Sequence, residues 1–256
     1  MTTDAVRRTP AATQWTALSA RGIRAALREG DLLLAVGAPV VYYICFYVPL
    51  HGSMSAVGID YAQYLLPLIV VQVMFFVSMF ACDRAAQEKV GGMGTRLRSL
   101  PVRPWVPPAA RISANMVRAV AALLGALVIG TVFGFRFADP VAALVFVVLT
   151  LAFGAALVLG ADALGTATGN VQLGATVLFV PQLLLVMVST GFVPADGFPG
   201  WAQPFVRNQP VSQLAGALRG LAEGRYANEL TVAAVWTAGL LILAAAGAVA
   251  AERKRR

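Results

Sequence analysis

Six apolar runs alternate along the chain with short polar or glycine-rich connections, at about 32–50, 61–82, 112–133, 141–161, 173–193 and 229–250. Each is close to the roughly twenty residues that a helix needs to cross the hydrocarbon of a bilayer. The runs are apolar all round rather than on one stripe, which predicts helices that meet lipid or one another on every side. The expected fold class is all-α: a polytopic membrane protein with six transmembrane helices, its transmembrane domain spanning residues 32–250.

Two further segments carry helical patterns of another kind. Between Trp15 and Arg28, one side of a helical wheel collects Trp15, Leu18, Ile23, Ala26 and Leu27, and the other collects Arg21, Arg24 and Arg28. This predicts an N-terminal amphipathic interfacial helix whose arginines face anionic headgroups. Residues 1–31 are read as a retained cytoplasmic tail ending in that helix, because they hold neither the apolar core nor the small-residue site of a removable signal.

Residues 194–224, between runs five and six, stay apolar although Pro194, Pro199, Pro204 and Pro210 punctuate them. Phe198, Trp201 and Phe205 recur at helical spacing and predict an aromatic belt at the outer interface. Asn208 and Pro210 then read as a helix start, with Val211, Leu214, Ala215, Leu218 and Leu221 as its apolar face and Gly224 past its end. About a dozen residues cannot span a bilayer, so a re-entrant or interfacial position is expected, an outer re-entrant segment between runs five and six. Arg219, the one charge on this helix, is expected to snorkel to the interface.

Charge orients the whole. Sixteen of the twenty basic residues fall on the side that carries both termini: five in the N-terminal segment, Arg118, four at residues 253–256, and six in the loop 83–111. Arg136, Arg207, Arg219 and Arg225 fall on the other side. Basic segments near spans stay inside, so both termini, the loop and the basic tail 251–256 are expected in the cytoplasm of a plasma-membrane protein. Within the loop, Gly91, Gly92 and Gly94 precede a short turn, Thr95 to Leu100, that Pro101 closes. Leu97 and Leu100 share a face of that turn. It is either a docking knob or an ordinary solvated connection.

With 59% hydrophobic and 12% charged residues and a mean hydropathy of +0.74, the chain is excluded from ordinary soluble domains. The net charge of +8 does not point to nucleic acid, because the basic residues flank apolar runs instead of aromatic-interleaved polar stretches. Cys45 and Cys82 belong to separate runs and imply no disulfide framework. The single histidine, His51, has no metal-ligand companions, so no metal site is expected. There is no HExxH or GxSxG motif, and neither Lys89 nor Lys254 lies in a GxxxxGK[ST] phosphate loop, so the chain is not expected to hydrolyse nucleotide itself. Few ionisable residues fall inside the runs, which weighs against an ion-coupled transporter. Asp162, where the fourth run ends, reads as interfacial. Gly130 with Gly134, and Gly165 with Gly169, form small-xxx-small pairs suited to close helix approach. Met74, Phe75 and Met79, soft side chains of the second run, either line a substrate path or face lipid.

The stretches VGAPVVYYICFYVPL, TRLRSLPVRPWVPPAARI, GFRF at 134–137, ADALGTATGN at 161–170 and above all GFPGWAQPFVRNQPVSQLAGALRGLA at 197–222 resemble permeases of the ABC-2 class. The resemblance covers nearly the whole chain and is to the daunorubicin-resistance type, which includes mycobacterial phthiocerol dimycocerosate exporter permeases. It implies a permease subunit of an ATP-driven exporter for a lipid-like or amphipathic drug-like molecule. It further implies a separate ATPase subunit that uses ATP and Mg, no cofactor in this chain, and a second permease chain, a different one or another copy. The coupling role of the class falls on Gly94, Thr95, Leu97, Ser99, Leu100 and Pro101. Other readings are export of a glycan or polysaccharide, a membrane assembly factor, or an intramembrane lipid-modifying enzyme. The last should show clustered His, Asp or Glu at a membrane face, which the sequence lacks.

Overall fold

The computed structural model describes residues 10–93, 96, 99, 101–191, 197–225 and 228–253. Its elements in order are α1 (Ala11–Arg28), α2 (Asp31–Ala56), α3 (Tyr61–Val90), α4 (Val106–Val132), α5 (Pro140–Thr168), α6 (Val171–Met187), α7 (Gln203–Asn208), α8 (Pro210–Ala222) and α9 (Asn228–Arg253). No strand occurs among the described residues, and the all-α expectation holds. Five helices, α2, α3, α4, α5 and α9, are long and apolar enough to cross a membrane. The fifth apolar run forms the shorter α6, only 17 residues, or about 26 Å at the α-helical rise. The chain completes that passage through residues 188–190, since α6 starts beside the Lys89 end of α3 and Thr190 reaches Tyr64 at the other end.

Local chemistry fixes where the helices start and turn. The Asp60 carboxylate accepts the Ala62 and Gln63 N–H groups and opens α3, and Asp139 does the same for Ala142 at α5, where Pro140 takes the first helical position. Gly30, at φ 78°, allows the sharp turn from α1 into α2. The two small-xxx-small pairs divide their labour. At Gly130 a Cβ would lie 2.6 Å from Leu66 Cδ2, and Gly165 packs on the Cys82 backbone, so these two permit close helix contact. Gly134 and Gly169 instead hold positive φ, 108° and 61°, and end their helices.

The core is built around α3, whose residues from Tyr61 to Ala86 are buried on almost every side against α2, α4, α5, α6 and α8. By contrast α2 and α9 turn large apolar side chains outward: Leu33 is 80% and Ile242 68% exposed. Burial of that kind must come from lipid or another chain. The bundle therefore has two ends, one bearing α1 and the other bearing α7 and α8.

Candidate functional site

At the α1 end, charged side chains from four helices and the turn before α2 meet. Asp31 opens α2, and its Oδ2 accepts Nη2 of Arg84 from α3 at 2.8 Å and Nη2 of Arg118 from α4 at 2.9 Å. Arg84 also pairs with Glu29 in the α1–α2 turn, and Arg118 donates to Asn115 one turn back on α4. A second cluster joins α4 to α5 and α3. Arg111 donates from Nε and Nη2 to the two oxygens of Asp162, at 2.7 and 2.9 Å, and from Nη1 to Glu88 at 3.3 Å. Arg118 and Asp162 are 3% and 5% exposed. Charges so enclosed persist only when paired and hydrogen-bonded. The network therefore holds the ends of four long helices and α1 in one register.

Helix α1 joins this end by its small residues. Gly22 lies against Ala114 of α4, and the Trp15 indole N–H donates to Ser113 Oγ at 3.2 Å. Leu27, by contrast, stays 60% exposed. Gln14 clips the helix to the loop before α4, donating to the Pro101 carbonyl at 3.1 Å and accepting the Arg103 N–H at 3.3 Å. Lys89 caps the neighbouring corner, its Nζ 2.7 Å from the Ala167 carbonyl.

The opposite end is organised by Arg219. Its Nε donates to the Tyr64 carbonyl at 3.0 Å, and its Nη2 to the Thr190 and Gly191 carbonyls, each at 3.2 Å. The guanidinium carbon stands 3.6 Å over the Tyr64 ring, whose hydroxyl donates to Thr190 at 2.6 Å. Burial pulls the guanidinium below its ordinary pKa, opposed by Tyr64, Glu223 and Glu229. Arg219 thus pins α8 to α3 and to the end of the α6 passage. From Tyr64 a ladder of rings continues through Tyr61 and Tyr47 to Tyr43, Phe133 and His51, with centroids 4.7 to 6.3 Å apart.

Two sequence expectations need correction here. Asp162 is not an exposed residue at the interface but is buried at the bundle end, because Arg111, fifty-one positions away, reaches it. Arg219 does not extend away from the protein to snorkel, because the Thr190 and Gly191 carbonyls beyond α6 and the Tyr64 carbonyl accept its donors. Both reversals follow from partners that no local pattern displays.

The other candidate residues fall as follows. Of the coupling set, Gly94, Thr95, Leu97 and Leu100 lie outside the described residues; Ser99 Oγ donates to the Arg96 carbonyl and Pro101 is held by Gln14. Met74 is fully buried and occupies the space that Gly154 leaves on α5. Phe75 meets Phe153 edge to face, and Met79 is half-buried. Trp201 is 85% exposed and Phe205, on α7, 60%. Pro210 is the first residue of α8, which buries Val211, Leu214, Leu218 and Leu221. Sequence reading passed over Asp31 and Gln14. The available signal for Asp31 was Arg118, a charge well inside an apolar run that requires a partner.

Comparison with known proteins adds to this geometry. The model of a family described as ABC-2 family transporter protein matches residues 34–251. The doxorubicin resistance ABC transporter permease protein DrrB of Mycobacterium tuberculosis is 36% identical over 205 residues, 77% of this chain and 71% of its own. The probable doxorubicin resistance ABC transporter permease protein DrrC of the same organism is 32% identical, covering 84% of this chain and 80% of its own. The daunorubicin resistance ABC transporter permease protein DrrB1 of Streptomyces coeruleorubidus is 26% identical, covering 86% and 76%. No solved structure matches.

Proposed function

Because this chain belongs to the ABC-2 family of transporter proteins, we propose that it is the membrane subunit of an ATP-driven exporter that moves an amphipathic drug-like or lipid-like molecule out across the plasma membrane. The observation that carries the reading is the similarity to doxorubicin-resistance permeases over three quarters of the chain. The chemistry agrees with it: the sequence has no phosphate loop of its own, so the energy comes from a separate ATPase subunit that binds ATP and Mg. A second permease chain, a different one or another copy, completes the assembly. It covers part of the apolar surface that α2 and α9 expose.

In this reading the α1 end faces the cytoplasm, which the distribution of basic residues supports. Residues 94–101 meet the ATPase, with Leu97 and Leu100 as the apolar contact. The neighbouring clip of Pro101 to Gln14 passes a displacement of that segment to α1, and the Asp31 and Asp162 pairs pass it to the spans. At the outer end, Trp201 and Phe205 seat the re-entrant segment in the outer leaflet, while Arg219 keeps α8 docked. Met74, Phe75 and Met79 lie along the passage or beside it. The subunit assignment is tested by nucleotide turnover: the purified chain alone hydrolyses no ATP, and activity appears on adding the partner ATPase. Turnover by the isolated chain, free of contaminating ATPase, contradicts it.

A further inference from the structure

The α1 end holds a cavity of about 250 Å³ between α1, α3 and α4. Arg21, Arg84, Arg111 and Arg118 line it, together with the more exposed Glu29 and Glu88. A guanidinium carries five N–H donors and no acceptor, and these four are unequally used. Arg111 is committed through three nitrogens to Asp162 and Glu88. Arg84 donates through Nη2 alone. Arg118, 3% exposed, uses Nη1 and Nη2, and its Nε, without a partner among the described residues, is sealed from the cavity. Among the described residues Arg21 meets only the Met93 sulfur, 4.0 Å from each terminal nitrogen.

The unused donors of Arg21 and Arg84, lining a half-open cavity, suit a group that only accepts. A phosphate presents several anionic oxygens in the geometry that guanidinium forks match. Location selects its carrier. One wall of the cavity is the amphipathic helix, which still exposes Leu27, so the cavity opens where headgroups lie. We propose that this cavity binds the phosphate of a membrane lipid headgroup, with Arg21 and the free nitrogens of Arg84 as its donors. Glu29 and Glu88 suit a headgroup that also carries an ammonium, as phosphatidylethanolamine does. The site would tie the register of α1, α3 and α4 to the lipid around them, whatever the exported molecule.

The test is thermal unfolding of the full chain, delipidated in detergent, against three probes: phosphatidylethanolamine, diacylglycerol with the same acyl chains, and inorganic phosphate. The phospholipid should raise the midpoint saturably and diacylglycerol should not. Arg21→Gln should weaken the apparent affinity about tenfold, the scale of one charge-assisted hydrogen bond. Arg21 is exposed and outside the ion-pair network, so the midpoint without lipid should not move. Arg21→Lys, which keeps the charge, should restore most of the response. A rise with inorganic phosphate that Arg21→Gln abolishes would support the phosphate site and assign its source to the free anion. Equal stabilisation by diacylglycerol, or an Arg21→Gln response identical to that of the parent, would overturn the proposal and leave a hydrated cavity.

Discussion

Asp162→Asn is the sharpest perturbation of the network at the α1 end. It leaves the geometry of the side chain nearly unchanged but removes the charge that accepts two Arg111 nitrogens at 2.7 and 2.9 Å. The Arg111 side chain is only 16% exposed, so water cannot fully replace what is lost. Glu88 still reaches Arg111 at 3.3 Å, which places the cost at the lower end of the range for breaking a buried pair, about 3 kcal/mol. For a chain of this size that corresponds to a fall in Tm of about 6 to 12 °C. The molecule supplies its own reporter. Cys82 is fully buried beside Gly165 and Gly174, so a thiol-reactive dye detects opening of the α3–α5 contact once the exposed Cys45 is replaced by Ala. Replacing both partners, Arg111→Met with Asp162→Leu, should recover much of the loss, because no unpaired charge remains. A single Asp162→Asn variant that melts with the parent would refute the claim that this pair holds the bundle end.

Three further outcomes are expected. Arg219→Lys keeps the charge but loses the fork that reaches Tyr64, Thr190 and Gly191, at a cost of about 1.5 to 3 kcal/mol; an unchanged melt would contradict that role. Leu97→Asp with Leu100→Asp should abolish copurification of the ATPase at normal membrane abundance, since each leucine contributes about 1.5 to 3 kcal/mol when buried against a partner; retention of the ATPase would remove the docking role. In intact cells an impermeant thiol reagent should label Asp196→Cys and spare Ser99→Cys, and the reverse pattern would invert the orientation.

The long helices were legible because continuous apolar length is a local property, and α8 because Pro210 and Gly224 mark its ends in the sequence itself. The α6 passage was harder to bound: its apolar run continues to 193, yet the helix stops at Met187 and the chain turns toward Tyr64. What the sequence hid was the partnership of charges. A carboxylate at the end of an apolar run looks the same whether it faces headgroups or an arginine on another helix. Asp31 with Arg118 and Asp162 with Arg111 join positions 87 and 51 apart. Arg219 was hidden for a related reason, since its acceptors are backbone carbonyls, which every sequence has.

The central claim is that the chain moves an amphipathic molecule using energy supplied by another subunit. Its most direct test is uptake of doxorubicin by proteoliposomes that contain this chain, its ATPase and the second permease, with ATP added on the ATPase side. The account predicts ATP-dependent accumulation that stops when a non-hydrolysable analogue replaces ATP and when this chain is left out. Equal uptake without the chain, or no ATP-dependent uptake by the complete assembly, would contradict it.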